Sequence, residues 1–248
     1  MACGTFGPGR LPEPLEILKK NKKKLLPKKQ DLKGQKVLVT AGGTQEAIDP
    51  VRFIGNRSSG KLGIAIAKAA LDRGAMVHLI AGAISVEIPK GILVTTVEST
   101  QDMYEAVLEA FENSTILIKA AAVADYRVTQ ISNQKLKKTN NPLEIHLVEN
   151  PDILKEVAKK KKKQIVVGFA AETENLVENG QKKLHSKKLD MLIANDVSNP
   201  NSTFNSDTNQ IRIITPDKIS DVLPIASKDE VAHYILDEIV GLISQEKD

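Results

Sequence analysis

Residues 41–63 read AGGTQEAIDPVRFIGNRSSGKLG, and the residue types in this stretch suit the binding of an anion. Gly42 and Gly43 permit a sharp turn and the close approach of a phosphate to the backbone. Arg52 and Lys61 bring positive charge, Asn56 an uncharged donor, and Ser58 and Ser59 two hydroxyls. The N–H groups opening a following helix, at the positive end of its dipole, favour negative charge in the same place. Neither familiar phosphate loop fits. A G-x-G-x-x-G fingerprint needs a third glycine where Thr44, Gln45 and Glu46 stand. A G-x-x-x-x-G-K-S/T loop matches from Gly55 to Lys61 and then fails at Leu62, which has no hydroxyl to offer Mg²⁺. That segment also lies well downstream of the preceding apolar run. The expectation is phosphate binding after the first strand of an α/β fold, by neither standard loop.

The elements that must position these groups alternate. Residues 36–40 (KVLVT) read as a buried strand, and 60–73 as a helix of strong helix formers. Further strands are expected at 76–80, 92–97, 115–118, 144–148, 164–172 and 191–194. Between them, Ser99 or Thr100 can cap a helix to about residue 112. Asn150 can cap another with Pro151 at its first position, and 175–188 forms a third. The fourth strand runs into KAAAVADYR at 119–127. Alanines this dense leave room for a ligand at a strand's carboxyl end, where open parallel sheets bind, or they serve tight helix–sheet packing. Lys183 and Lys187 lie four apart on one helix face; such a pair is usually solvent-facing, but it precedes a strand and suits phosphate contact. A turn-rich stretch and the alternation at 210–215 suggest a hairpin at the sheet edge. Ser227 and Glu230 fit a capping box opening a last helix to about residue 244. The fold class is therefore α/β, a doubly wound, mostly parallel Rossmann-like sheet with a C-terminal β-hairpin at its edge.

Composition narrows the class. Of the 248 residues 41% are hydrophobic but only 3% aromatic, with no Trp, so the core must be aliphatic. The formal charge of +4 is mild. Its excess sits in lysine runs at 19–24 and 159–163, which read as a solvated tether and a solvated helix end rather than as nucleic-acid contacts, since no aromatics interleave to stack on bases. No stretch approaches the roughly 20 apolar residues of a membrane span. A single cysteine, Cys3, and four histidines without metal-ligand spacing fit a reducing cytoplasm and no protein-bound metal. Residues 1–34, broken by glycines and prolines, read as a linker; 35–248 read as one domain.

Six segments in order resemble the phosphopantothenoylcysteine synthetase (phosphopantothenate–cysteine ligase) family: the loop at 41–63, AAAVADYR with KLKK, ENPDIL, VVGFAAETEN, LDMLIANDVS and FNSDTN. The first residues resemble the tail of the flavin-dependent decarboxylase half that precedes this ligase. There Cys3 would match a proton donor, and FMN would belong only to that fused half. The resemblance implies that 4'-phosphopantothenate, L-cysteine and CTP give 4'-phosphopantothenoylcysteine, CMP and pyrophosphate through an acyl-cytidylate, with Mg²⁺ carried by the triphosphate and a homodimeric assembly. ATP-using members exist, so ATP is the alternative nucleotide. Matched position by position, Asn56 holds the acyl-nucleotide, Arg52 serves the cysteine-dependent half, and Lys135 is the catalytic lysine on a loop that closes as a flap. Gly42 and Gly43 fall in the phosphate turn. Asp125, Asn150, Pro151, Asp152, Ile153, Phe169, Lys183 and Lys187 match nucleotide contacts. Ala120, Ala121 and Ala122 match the small residues against which nucleotide and substrate lie. Lys119 stands where a small residue is expected, so only its backbone is carried over. Gly55 stands where serine is frequent.

Two other classes compete. A dinucleotide-dependent dehydrogenase needs an acid ending the second strand, where Ile80, Ala81 and Gly82 stand. A nucleic-acid module acting through the lysine runs predicts binding that falls steeply with salt. The register of the motifs favours the ligase.

Overall fold

The computed structural model describes residues 29–138, 142–172, 176–196 and 206–245. Cys3, the lysine run at 19–24 and Phe204 of the FNSDTN segment lie outside them. A seven-stranded sheet holds the domain together. In chain order its strands are β1 (Lys36–Ala41), β2 (Met76–Ala81), β3 (Leu93–Thr96), β4 (Ile116–Lys119), β5 (Ile165–Glu172), β6 (Met191–Asp196) and β7 (Ile211–Ile214), arranged 3-2-1-4-5-6-7. Strands β1 to β6 pair in parallel and β7 lies antiparallel on β6. The strand order reverses between β1 and β4, which opens a crevice beyond their carboxyl ends.

Side chains alternate across the sheet, and both faces are covered. On one face Val37 and Val39 pack with α1 (Lys61–Asp72) and α5 (Lys228–Gln245) through Ile66, Ala70, Ile235 and Ile239. On the other, Leu38 and Ile80 meet α2 (Thr100–Phe111), α3 (Ile153–Lys160) and α4 (Leu176–Ser186) through Met103, Phe111, Val157 and Leu184. Burial on two sides explains why these strands are continuous aliphatic runs. Phe111 is the one aromatic side chain buried among the described residues. None of their helices is long and apolar enough to cross a membrane.

The caps refine the sequence expectations. Ser99 caps α2 in a full capping box with Asp102. The cap of α3 is Asp152, whose carboxylate accepts from the Lys155 N–H at 3.0 Å, and not Asn150. At the sheet edge, β7 turns through Thr215 and Lys218 and returns to bridge Ile214 with Ile219, which makes the expected hairpin. Two short ribbons were not foreseen. One pairs Gln45–Ala47 with Phe53–Gly55 inside the β1–α1 connection; the other pairs Tyr126–Val128 with Leu147–Glu149, displacing the strand expected at 144–148.

Packing reaches back beyond residue 35. Leu32 is fully buried in the α1–α5 core. Asp31 accepts from Arg73 at 2.8 and 2.6 Å, and the hydrogen-bonded Arg73 guanidinium holds its carboxyl below the ordinary value against the opposing effect of burial. Leu32→Ala is expected to cost about 2–5 kcal/mol of unfolding free energy in denaturant titrations. A loss well under 1 kcal/mol would show that this turn does not contribute to the core.

Candidate functional site

The β1–α1 connection is folded down onto its neighbours by backbone hydrogen bonds. Gly42 (φ +84°) and Gly60 (φ +74°) adopt the left-handed conformation. A Cβ on Gly42 would lie 2.5 Å from the Ala83 carbonyl oxygen, so that turn admits no side chain. Gly43 exchanges hydrogen bonds with Ala83 and pairs with Ala122. Gly60 caps α1 without any side-chain hydrogen bond, and no acid occupies the helix's first turn. The amino end of α1 thus carries no capping carboxylate, and the positive end of its dipole suits an anion.

A buried chain of hydroxyls joins this loop to the end of β4. The Thr40 hydroxyl accepts from Ala121 N–H at 3.1 Å and the Thr44 hydroxyl from Ala124 N–H at 2.8 Å. Thr44 lies 3.0 Å from the Thr100 hydroxyl, which donates to Glu46 at 2.7 Å. Glu46 also accepts the Thr100 N–H in the first turn of α2, where the dipole favours a carboxylate. Thr44, Glu46 and Thr100 are all buried. Their effect is to hold the alanine-rich strand end at a fixed height over the sheet.

Over that strand end lies a cleft of two lobes. The first, about 590 Å³, is walled by the amino end of α1 with Asn56, Ser58, Ser59, Lys61, the alanines and Lys228. Asn56 donates its amide to the Val123 carbonyl at 2.8 Å, which fixes the side chain beside the alanines. Lys61 pairs with Asp207 at 2.5 Å. Burial, with repulsion from Lys61, lowers the pKa of Lys228 although Asp207 opposes this. A lysine in the first turn of α5 also opposes that helix's own dipole. The region thus concentrates positive potential. The second lobe, about 500 Å³, is walled by Asp125, Asn150, Pro151, Asp152, Ile153 and Lys187. Lys119, Val123, Asp125, Phe169 and Lys183 line both lobes. Burial disfavours the Asp152 carboxylate, but its hydrogen bond from Lys187 and that from the Lys155 N–H prevail and lower its pKa. The Asn150 side chain, instead of capping α3, donates to the Ala124 carbonyl at 2.9 Å and accepts from Arg127. A further, apolar cavity of about 430 Å³ lies at the opposite end of the sheet, beside the first residues of β1, β2 and β3.

Asn56, Lys119, Ala120, Ala121, Ala122, Asp125, Asn150, Pro151, Asp152, Ile153, Phe169, Lys183 and Lys187 therefore gather in one cleft, with Gly42 and Gly43 forming the turn beside it. Arg52 and Lys135 are not among its lining residues. They share a different place, the tip of the hairpin at 45–55. There Asp49 accepts from Val51, Arg52 and Leu136 N–H groups and pairs with Arg52 at 2.8 Å. The Arg52 guanidinium donates to the Leu136 carbonyl, and Ser132 N–H to the Ile48 carbonyl. Burial opposes ionisation of Asp49, but these donors outweigh it and keep its pKa below the ordinary value. Asn195, Asn209 and Lys228 also line the first lobe. The two asparagines stand in the segments LDMLIANDVS and FNSDTN, which carry the resemblance but assigned them no role; Lys228 carries a separate signal, a cation where the helix dipole disfavours it.

The sequence profile of the family described as DNA/pantothenate metabolism flavoprotein C-terminal domain matches residues 32–242. Over 247 residues the chain is 45% identical to the coenzyme A biosynthesis bifunctional protein CoaBC of Bacillus subtilis, a match covering 99% of this chain and 61% of that protein. Over 243 residues it is 43% identical to the protein of the same description from Escherichia coli K12, covering 96% and 59%. The chain thus spans about 60% of the length of these relatives. The crystal structure of the C-terminal domain of a coenzyme A biosynthesis bifunctional protein CoaBC has the same fold, with a TM-score of 0.75 and 39% identity over 87% of this chain and 99% of that one. With the profile running from Leu32 through most of α5, the chain belongs to the DNA/pantothenate metabolism flavoprotein C-terminal domain family.

Proposed function

We propose that this domain is a phosphopantothenate–cysteine ligase of coenzyme A biosynthesis, joining 4'-phosphopantothenate to L-cysteine with CTP. The observation that carries this reading is the two-lobed cleft at the strand-order reversal. One lobe adds Arg57, Lys61, Lys228 and the amino end of α1 to the shared lining; the other adds Tyr126, Glu149, Asn150 and Asp152, with Lys187; Asn56 and the alanines lie beside their junction. A nucleoside triphosphate divides in the same way, into an anionic chain and a polar, partly aromatic nucleoside. A carboxylate is a poor acylating agent, so it must first attack the α-phosphorus and expel pyrophosphate. The cysteine amine then attacks the acyl carbonyl and CMP leaves. Bringing two anions together needs preplaced donors and charge. Asn56 supplies an amide that adds no charge, and the loop of Lys135, tethered through Leu136 to Asp49 and Arg52, closes over the bound substrates. Mg²⁺ arrives on the triphosphate, and the cations and amides at the phosphate end suit a metal held by the phosphates.

A homodimer belongs to the same proposal. The two short ribbons and the turn of the first expose Val51, Phe53, Tyr126, Leu147 and Val148, apolar side chains of the kind a subunit interface covers. Light scattering is expected to give twice the monomer mass. The activity is tested by pyrophosphate release with 4'-phosphopantothenate and Mg²⁺, comparing CTP with ATP, with and without L-cysteine. Steady turnover with CTP that requires cysteine is the expected result. Equal or better turnover with ATP would move the domain to the ATP-using branch, and no turnover with either nucleotide would overturn the ligase reading.

A further inference from the structure

Lys119 is the last residue of β4, in register with Thr40 of β1. By strand alternation its side chain leaves the sheet on the same side as Leu117, the side of α3 and α4. It is partly open to the cleft yet lies away from bulk solvent, and it lines both lobes. An ordinary strand-end lysine extends its ammonium to water or to a carboxylate. Here the nearest carboxylates are Asp152, already engaged by Lys187 and by the cap of α3, and Asp125. Lys119 itself makes no hydrogen bond or ion pair with a described side chain. Two more cations line the same lobe, Lys183 of α4 and Lys187 just after it. A cation is therefore held at the joint of two lobes, with like charges beside it and its attraction to Asp152 shared. In a nucleotide whose phosphates occupy one lobe and whose nucleoside occupies the other, the joint is the α-phosphate.

Resting on the ligase reading above, we propose that the Lys119 ammonium binds the α-phosphate of the nucleotide and stabilises the charge that builds there during acyl transfer. In that step a carboxylate oxygen of phosphopantothenate forms a bond to the α-phosphorus. The bond from that phosphorus to the β-phosphate bridging oxygen breaks, and its electron pair leaves with pyrophosphate. No proton moves, and Lys119 stays an ammonium throughout. A donor preplaced in a site of low dielectric acts most strongly on charge that develops in the transition state, so the lysine contributes to kcat as well as to binding. Burial, reinforced by Lys183, lowers its pKa to about 8 against the attraction of Asp152 and Asp125. The groups facing it are thus Asp125 from the loop after β4, Asp152 before α3, Lys183 from α4 and Lys187 just after it, and Glu149 and Tyr126 across the second lobe.

The test uses the whole chain and the variants Lys119→Met, which keeps the stem and removes the charge, and Lys119→Arg, which keeps the charge. Pyrophosphate release is read as kcat and KM, and calorimetry compares CMP with cytidine. For Lys119→Met the expected result is a fall in kcat/KM of about 100-fold, by analogy with loss of one transition-state donor. CMP should bind about 10-fold more weakly, the loss of one charge-assisted contact, with cytidine unchanged, and Lys119→Arg should recover much of both. In the wild-type chain, independently of any variant, CMP affinity should decline as pH rises past about 8, the value for the free lysine. Unchanged kcat/KM in Lys119→Met, or cytidine weakened as much as CMP, overturns the assignment. So does a flat CMP affinity across that pH range in the wild type. A wild-type chain that neither binds CMP nor releases pyrophosphate counts against the ligase reading instead.

Discussion

Lys135→Gln is expected to lower kcat/KM for pyrophosphate release by about 100- to 1000-fold, the range seen when one preorganised transition-state donor is removed. Folding should be nearly untouched. Lys135 is exposed, and its side chain makes no hydrogen bond or ion pair with the described residues. Surface changes of this kind usually stay within about 0.5 kcal/mol. The loop is fastened on both sides of it, by the Ser132 N–H to Ile48 and by the Leu136 N–H to Asp49 at 3.1 Å, so the substitution leaves those fastenings in place. This separation of effects follows from the proposed role as a charge delivered by a flap, since the cleft walls do not include it. The neighbours provide the control. Lys137 and Lys138 are exposed on the same segment, and if only the general positive field of the loop mattered, their glutamine variants would lose as much. Near-wild-type turnover in those two and a large loss at Lys135 is the expected pattern. Normal turnover in Lys135→Gln would sink the role, as would an equal loss in all three.

How much of this could be read from the chain alone follows from what kind of contact each feature depends on. The parallel strands were legible because a strand buried on both faces must be aliphatic throughout, as at 36–40, 115–118 and 191–194. The wall of the cleft at 119–125 was legible for a related reason, since small residues at a strand's carboxyl end leave space there. The ribbon at 45–55 was not. Its strands are three residues long, too short to show alternation, and its turn is held by Asp49 binding the N–H groups of Val51 and Arg52. Asn150 and Asp152 were equally good caps by residue type. Tertiary structure chose between them by giving the Asn150 amide to the Ala124 carbonyl. Contacts such as Glu46 with Thr100, 54 residues apart, and Lys228 against the amino end of α1 exist only once the sheet is assembled.

The same dependence makes Gly63→Ala the second large effect. In sequence Gly63 is an unremarkable third residue of α1, where alanine is the better helix former by about 1 kcal/mol. In the fold its missing side chain lets the first turn of α1 sit directly on the end of β1. A Cβ there would lie 2.6 Å from the Ala41 Cβ and 3.1 Å from the Thr40 carbonyl oxygen. Neither atom belongs to a flexible chain, and Ala41 is fully buried, so the helix must move. Overpacking of this kind costs about 1–3 kcal/mol, which outweighs the propensity gain, and a net loss of about 1–2 kcal/mol is expected. The functional effect should exceed the structural one. The first-turn N–H donors move with the helix, and misplacement by about 1 Å can cost about 100-fold in rate. CTP turnover should therefore fall far more than Tm, with cytidine binding, which the proposal places in the other lobe, unchanged. Gly241→Ala isolates the propensity term. Gly241 is exposed in α5 with nothing within 4 Å of an added Cβ, so that variant should gain about 0.4–1 kcal/mol and keep full activity. If Gly63→Ala behaves like Gly241→Ala, the close seating of α1 on β1 does not set the position of the phosphate donors.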